Sequence, residues 1–389
     1  MTLIKEIKQF HDEMTEWRRD FHKHPELKYE EKRTSDLVAA KLEEFGIEIH
    51  RGLAKTGVVG TIRNGEGPSI GLRADMDALP LEEKNTFRYA SINPGKMHAC
   101  GHDGHTAMLL GAAKHLASSK NFKGTVNFIF QPAEEGGGGG ELMIKEGLFE
   151  MFPVDSVYGL HNWPDMPAGI FGVGSGAIMA AQDSFDLTIN GCGGHAALPD
   201  QCIDPIVIAS QVVSALQIIP SRNTHPVDSL VISVTQIHSG DAYTVIPDSL
   251  IMNGSVRTFQ KETRKEIPKT MLRVAEGVCA AYGATCELNY MSGYPATINS
   301  VRETDISAKA VVDLLGEDKI IRNPTPSMTS EDFSYMLESR PGCYVWLGIA
   351  NDKDDKGDML HSSRYDFNDD VLTIGASYWV KLVENELPA

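Results

Sequence analysis

The chain has 389 residues, 42% of them hydrophobic, and a formal net charge of −17. That length exceeds one simple core and predicts two domains, while the acidity argues against nucleic acid or an anionic membrane as partner. No apolar run reaches the roughly 18 residues a membrane span needs, and the charged stretch Met1–Trp17 lacks the apolar core of a secretion signal. The six cysteines (Cys100, Cys192, Cys202, Cys279, Cys286 and Cys343) have no paired spacing. They read as reduced thiols, which places the protein in a cytoplasm. Asn253-Gly254-Ser255 is then a chance glycosylation sequon.

The first elements predicted are a helix over residues 2–22, a stop at Pro25, and an amphipathic helix near Glu31–Phe45. Strands at Ser69–Ala74, Thr125–Phe130 and Ser156–Leu160 alternate with helices at Thr106–Ser118 and Glu141–Phe149. Such alternation predicts an α/β sheet covered by helices, with ligands bound beyond the carboxyl ends of the strands. After Gly174-Ser175-Gly176 the pattern changes. Strand 183–190, helix 204–217, strands 229–238 and 250–259, helix 264–282 and strand 285–290 form a βαββαβ, ferredoxin-like order. Residues 180–294 are therefore expected to be an inserted second domain, with 1–179 and 295–389 forming the first. The first domain resumes with helix 304–315, strand 343–347 and a final helix to about Glu384. Asn351–Asp358 reads as a solvated loop just before His361.

Cys100-Gly101-His102-Asp103-Gly104-His105 packs a thiol and two imidazoles into six residues at the start of an apolar helix. Structural zinc sites spread paired ligands to close a tetrahedron; one Cys alternating with His suits an open, reactive site better. Glu134-Glu135 leaves a strand through Gln131-Pro132-Ala133. Adjacent carboxylates point apart, so Glu135 can bind metal while Glu134 takes a proton from the attacking water and passes it to a leaving nitrogen. The bland alternative is a solvated acid pair at a helix start. His161 and His361 each follow a strand-like run, where a lone His is more often a satisfied polar residue. With Cys100, His102 and Glu135, however, they complete a donor set for two divalent ions, and this raises both. Asp75 and Asp77 in Arg73-Ala74-Asp75-Met76-Asp77 either orient a metal-bound His or pair with Arg73. His105 is adequately explained by capping, and His22 and His24 by their place at the end of an exposed helix. Two rival motifs fail on context. Gly67-Pro68-Ser69-Ile70-Gly71 puts its Ser at the start of a strand, where a hydrolase elbow needs it between strand and helix. Gly172–Ala177 resembles a dinucleotide fingerprint but leads into a strand.

Several motifs in order resemble the M20 family of metallopeptidases and amidohydrolases, in its M20D branch of hippurate hydrolases, N-acyl-amino-acid amidohydrolases and auxin-conjugate hydrolases. They run from Arg18-Arg19-Asp20-Phe21-His22 through Gly71–Pro80, Met97–His105, Gln131–Gly136 and Ser330-Glu331-Asp332-Phe333 to Leu360-His361 and Tyr365–Asp369. The wider family carries a His two residues before the Asp matched to Asp75; this chain has Arg73, as the branch does. The resemblance implies a mixed-sheet α/β catalytic domain with a lid that dimerises, giving a homodimer or homotetramer. It implies Cys100, His102, Glu135, His161 and His361 as ligands of two divalent ions, Zn²⁺ first and Mn²⁺ or Co²⁺ as substitutes, with Glu134 as base. It further implies His195 as an oxyanion donor reaching a neighbouring active site and Arg257 as the holder of a substrate carboxylate. Relatives read Asn-Val-Ile-Pro where this chain has Thr244-Val245-Ile246-Pro247, so Thr244 brings a hydroxyl where an amide contacts substrate. The expected reaction is hydrolysis of N-acyl-amino acids, with a dipeptidase or aminopeptidase as the rival enzyme and a non-catalytic metal or amino-acid binder as the rival class.

Overall fold

The computed structural model describes residues 3–350 and 358–389, so the expected loop at Asn351–Asp358 lies, up to residue 357, outside the described residues. The chain divides into two compact units. The first comprises Met1–Ile178, Ile298–Thr325 and Asp332–Ala389; the second comprises Met179–Thr297 and Pro326–Glu331.

In the first unit, eight strands form one mixed sheet in the order Glu48–Leu53, Gly57–Asn64, Gly124–Gln131, Ser69–Asp75, Ser156–Pro167, Gly342–Ala350, Phe171–Val173 and Ile320–Arg322. The four middle members run parallel. Parallel strands are covered on both faces and read as continuous apolar runs. Ile70, Leu72 and Ala74, Phe128 and Phe130, Tyr158 and Leu160, and Val345 and Leu347 are accordingly all buried. Helix His102–Ser119, with Ala107, Leu110 and Ala113 at zero exposure, packs in the same core as the final helix Leu372–Glu386.

Several expected elements have different bounds. The helix read over residues 2–22 is two, Lys5–Gln9 and His11–Lys23, separated at Phe10. The helix read over Glu141–Phe149 also divides, into Gly139–Lys145 and Leu148–Met151, because Gly147 adopts φ 97°. The antiparallel pair Glu48–Leu53 and Gly57–Asn64 has no counterpart in the sequence reading. Its outer strand places only Leu53 in the core, so it shows no apolar alternation to detect.

The second unit is a two-layer α/β structure. Its antiparallel sheet has the order Leu230–His238, Ser249–Thr258, Ala181–Asn190 and Thr285–Ser292. Alternate residues of Ala181–Asn190 are buried; Phe185, Leu187 and Ile189 share a core with Ile208 and Val212 of helix Pro205–Leu216 and Met271 and Ala275 of helix Lys261–Ala281. A short ribbon pairs Gly194–His195 with Val245–Ile246.

Candidate metal centre

The four parallel strands deliver the site from their carboxyl ends, as open α/β sheets do. Cys100 precedes Gly101, which turns the chain into helix His102–Ser119 at φ 84°. A Cβ on Gly101 would lie 2.2 Å from Asn162 Oδ1, so only glycine passes there. The acid pair sits on a turn of left-handed residues, Ala133 at φ 58°, Gly136 at φ 70° and Gly138 at φ 66°. Glu135 itself is non-helical at ψ 75°, so the pair is not simply the start of a helix. His161 lies on strand Ser156–Pro167. His361 adopts φ 63°, and its N–H donates to Ala99 O at 2.8 Å, tying its loop beside Cys100.

Donor atoms converge in overlapping groups, each with its members within 4.8 Å of one another. One joins Cys100, His102 and His161, a second Cys100, Glu135 and His361, and a third His102, Glu134 and Glu135. Cys100 Sγ lies 3.5 Å from His161 Nε2, and His361 Nε2 lies 3.1 Å from Glu135 Oε1. Both buried histidines are presented alike. His102 Nδ1 donates to Asp77 O at 2.8 Å and His161 Nδ1 donates to Asn162 O at 2.7 Å. With Nδ1 so engaged, Nε2 is in each case the nitrogen left to face a bound ion, the usual way a protein orients a ligating imidazole. His102 Nε2 is buried with no hydrogen-bond partner. A buried, unsatisfied imidazole nitrogen beside a thiol and carboxylates is what a divalent ion would satisfy.

The charge balance points the same way. Burial pushes the Cys100 thiol well up, and Glu135, Glu134 and Asp75 add to the shift. Burial alone would lower His102, but Asp75 and Asp77 override it and raise the imidazole to about 10. Burial, helped by His105, holds His161 well below the usual histidine range. The carboxylates of Asp75, Asp77, Glu134 and Glu135 thus dominate the shifts of Cys100 and His102 beside burial, and a bound cation would relieve the same acidic groups.

Around these donors the structure corrects several readings. Of the two readings considered for Asp75, the structure shows the pairing with Arg73, while its nearest approach to His102 lies beyond hydrogen-bond reach. Arg73 Nη1 donates to its Oδ2 at 2.7 Å, and that same oxygen lies 3.7 Å from His102 Nε2. His105 is no mere cap; it is buried, with Nδ1 on Asp75 at 2.6 Å and Nε2 engaged by Asn162. His22 ends no exposed helix either, since it is fully buried between Asp103 (2.8 Å) and Glu83 (3.2 Å). His24 stays at the margin, on Asp20 O. Asp77, read with Asp75 as a carboxylate that orients a His, takes His102 Nδ1 on its backbone oxygen and spends its carboxylate on the acid turn: Oδ1 accepts Glu134 N at 3.0 Å and Oδ2 accepts Glu135 N at 2.9 Å.

The remaining three expected residues lie in the second unit. His195 and Thr244 are exposed neighbours; Val245 pairs with His195, and Ala196 N donates to Thr244 O at 2.9 Å. His195 Nδ1 accepts Ala197 N at 3.1 Å, so its proton sits on Nε2. Arg257 is on a different sheet, in strand Ser249–Thr258 between Val231 and Gln182.

Known proteins share this architecture along the whole chain. The hippurate hydrolase of Campylobacter jejuni subsp. jejuni is 43% identical over 383 residues, covering 98% of both chains. Thermostable carboxypeptidase 2 of Saccharolobus solfataricus is 42% identical over 388 residues, covering 97% of each. The crystal structure of the Bacillus subtilis YXEP protein, titled a dinuclear metal binding peptidase from the M20 family, superposes with a TM-score of 0.85 at 37% identity, over 97% of this chain and 98% of that one. The family model for peptidase family M20/M25/M40 matches residues 71–385, which include every donor of the cluster, and the chain belongs to that family.

Proposed function

We propose that this protein hydrolyses the amide bond of N-acyl-amino acids, releasing a carboxylic acid and a free amino acid. The observation that carries the reading is Cys100 shared by two three-donor groups, with Glu134 in an adjoining one. Cys100, His102, Glu135, His161 and His361 would hold two divalent ions. Thiolate and imidazole donors favour Zn²⁺, with Mn²⁺ or Co²⁺ as workable replacements. Two such ions would supply Lewis acidity at the scissile carbonyl and acidify the attacking water.

Glu134 takes the proton of that water and delivers it to the departing nitrogen. His195 carries its proton on Nε2, which suits it to donate to the oxyanion, and Arg257 offers a guanidinium to the substrate carboxylate. Thr244 brings a hydroxyl as a further substrate contact. The names of the two relatives support this choice of substrate. Hippurate is an N-acyl-amino acid, and a carboxypeptidase releases an amino acid with a free carboxylate. An aminopeptidase must instead seat a free amine, and a non-catalytic binder would have no need of Glu134. Six free cysteines fit a reducing cytoplasm. Among the described residues, no helix is long and apolar enough to cross a membrane. Val231 and Ile237, exposed on the edge strand Leu230–His238, with Ile206 and Val207 on the neighbouring helix, support self-association through the second unit.

The test is turnover on a panel containing N-benzoylglycine, N-acetyl-Phe and Ala-Phe after chelation and reloading with Zn²⁺, Mn²⁺ or Co²⁺. Hydrolysis of the N-acyl compounds should disappear on chelation and return with metal. Full activity in a metal-free preparation, or preference for Ala-Phe, would refute the reading.

A further inference from the structure

Three consecutive backbone N–H groups in the acid turn end on two buried carboxylates. Glu134 and Glu135 donate to Asp77, while Ala133 N donates to Glu31 Oε1 at 2.9 Å. Glu31 has zero exposure. Its Oε1 also accepts Tyr29 N at 3.0 Å, and Oε2 accepts Thr56 Oγ1 at 2.7 Å. The same segment holds the far end of the turn. Tyr29 Oη donates to Gly137 O at 2.6 Å and Lys28 Nζ donates to Gly136 O at 3.4 Å. Ala78 N donates to Glu26 O at 2.8 Å, which joins this segment to the strand end that carries Asp77.

Ala133 is the residue that needs this support. It has a Cβ, no exposure and φ 58°, a left-handed conformation that persists only when its surroundings impose it. Release of its N–H would leave a buried donor unpaired and free the peptide that aims Glu134 and Glu135. We propose that Glu31, assisted by Tyr29, is a positioning residue that clamps Ala133 in its left-handed turn and thereby aims the acid pair. The proposal rests on the reading of Glu134 as base and Glu135 as ligand given above. Burial raises the Glu31 carboxyl to about 7, against the opposing Thr56 hydrogen bond and with help from Asp77. A neutral group therefore fits the cage, and the Gln amide oxygen can accept the Ala133 and Tyr29 N–H groups as Oε1 does.

The experiment compares Glu31→Ala, Glu31→Gln and Tyr29→Phe in the full-length, metal-loaded protein. It measures kcat and KM on N-benzoylglycine, Zn²⁺ affinity by competition with a chromophoric chelator, and the melting temperature. Glu31→Ala should lose roughly 10–100-fold in kcat and in Zn²⁺ affinity, the range seen when a residue supporting metal ligands is removed. Glu31→Gln should retain most of both. Tyr29→Phe should lower kcat by a smaller factor without moving KM. A folded Glu31→Ala with parental kcat and Zn²⁺ affinity overturns the clamp, as does a Gln variant as damaged as the Ala one. If Glu31→Ala does not fold, an unchanged kcat in Tyr29→Phe overturns it instead. Should the parent not hydrolyse N-acyl-amino acids, the substrate reading fails, while the Zn²⁺ affinities of the three variants still decide the clamp.

Discussion

Glu134 and Glu135 are neighbours in sequence, yet their peptides and contacts differ. Glu134 is almost fully buried, with Oε1 3.4 Å from Asp332 N, whereas Glu135 Oε1 faces His361. Glu134→Gln keeps the shape and removes the base, so metal content should stay parental while kcat drops by roughly 10²-fold or more. Cys100→Ser should do the reverse and chiefly weaken metal retention, because a hydroxyl replaces thiolate poorly as a ligand. Metal analysis beside turnover separates the two, and a metal-free Glu134→Gln that becomes active on reloading would exchange the glutamate roles. At this scale Cys100, His102 and the acid pair stood out by their short spacing, whereas His161 and His361 were reached only through the donor set they complete and the family resemblance. His105, His22 and Glu31 were not legible, since each acts through partners that sequence cannot pair with it. His105 meets Asp75 across 30 positions, and Glu31 meets Ala133 across 102. An Asp or Glu that serves by accepting backbone N–H groups looks, in one dimension, like any solvated acid.

Helix His102–Ser119 carries two of the site histidines at its first turn, so its seating sets their positions. That seating depends on side chains being absent. A Cβ on Gly104 would lie 2.3 Å from Phe367 Cε2, and one on Gly111 would lie 2.2 Å from Met14 Sδ. Phe367 is buried and has little room to move. Gly104→Ala should therefore destabilise the protein by about 1–3 kcal/mol through overpacking, despite alanine's better helix propensity. A lower unfolding midpoint together with weaker Zn²⁺ retention is the expected outcome; an unchanged midpoint would mean that Phe367 gives way. The parallel core strands were legible as elements because burial on both faces makes them apolar throughout. Breaks inside helices were not, because a single left-handed glycine such as Gly147 resembles a tolerated helical one.

At the scale of the whole molecule, the candidate metal donors and Glu134 lie in one unit and His195, Thr244 and Arg257, the residues proposed to meet substrate, in the other. The βαββαβ order of the second was readable from alternating strand and helix periods. Which copy of it serves which site was not, since that depends on assembly and leaves no local pattern. His195 offers a test because it is exposed, holds its proton on Nε2, and acts only by position. If it works across a dimer, Glu134→Gln and His195→Ala homodimers should each be nearly inactive. A mixed dimer would then place an intact Glu134 in one chain opposite an intact His195 in the other, at one of its two sites. Subunit exchange between the two inactive proteins should therefore restore turnover, with activity rising as heterodimer forms. Were His195 to act within its own chain, both sites of the heterodimer would still lack one group. Verified heterodimers without recovered activity would accordingly place His195 in its own subunit's site or remove it from catalysis.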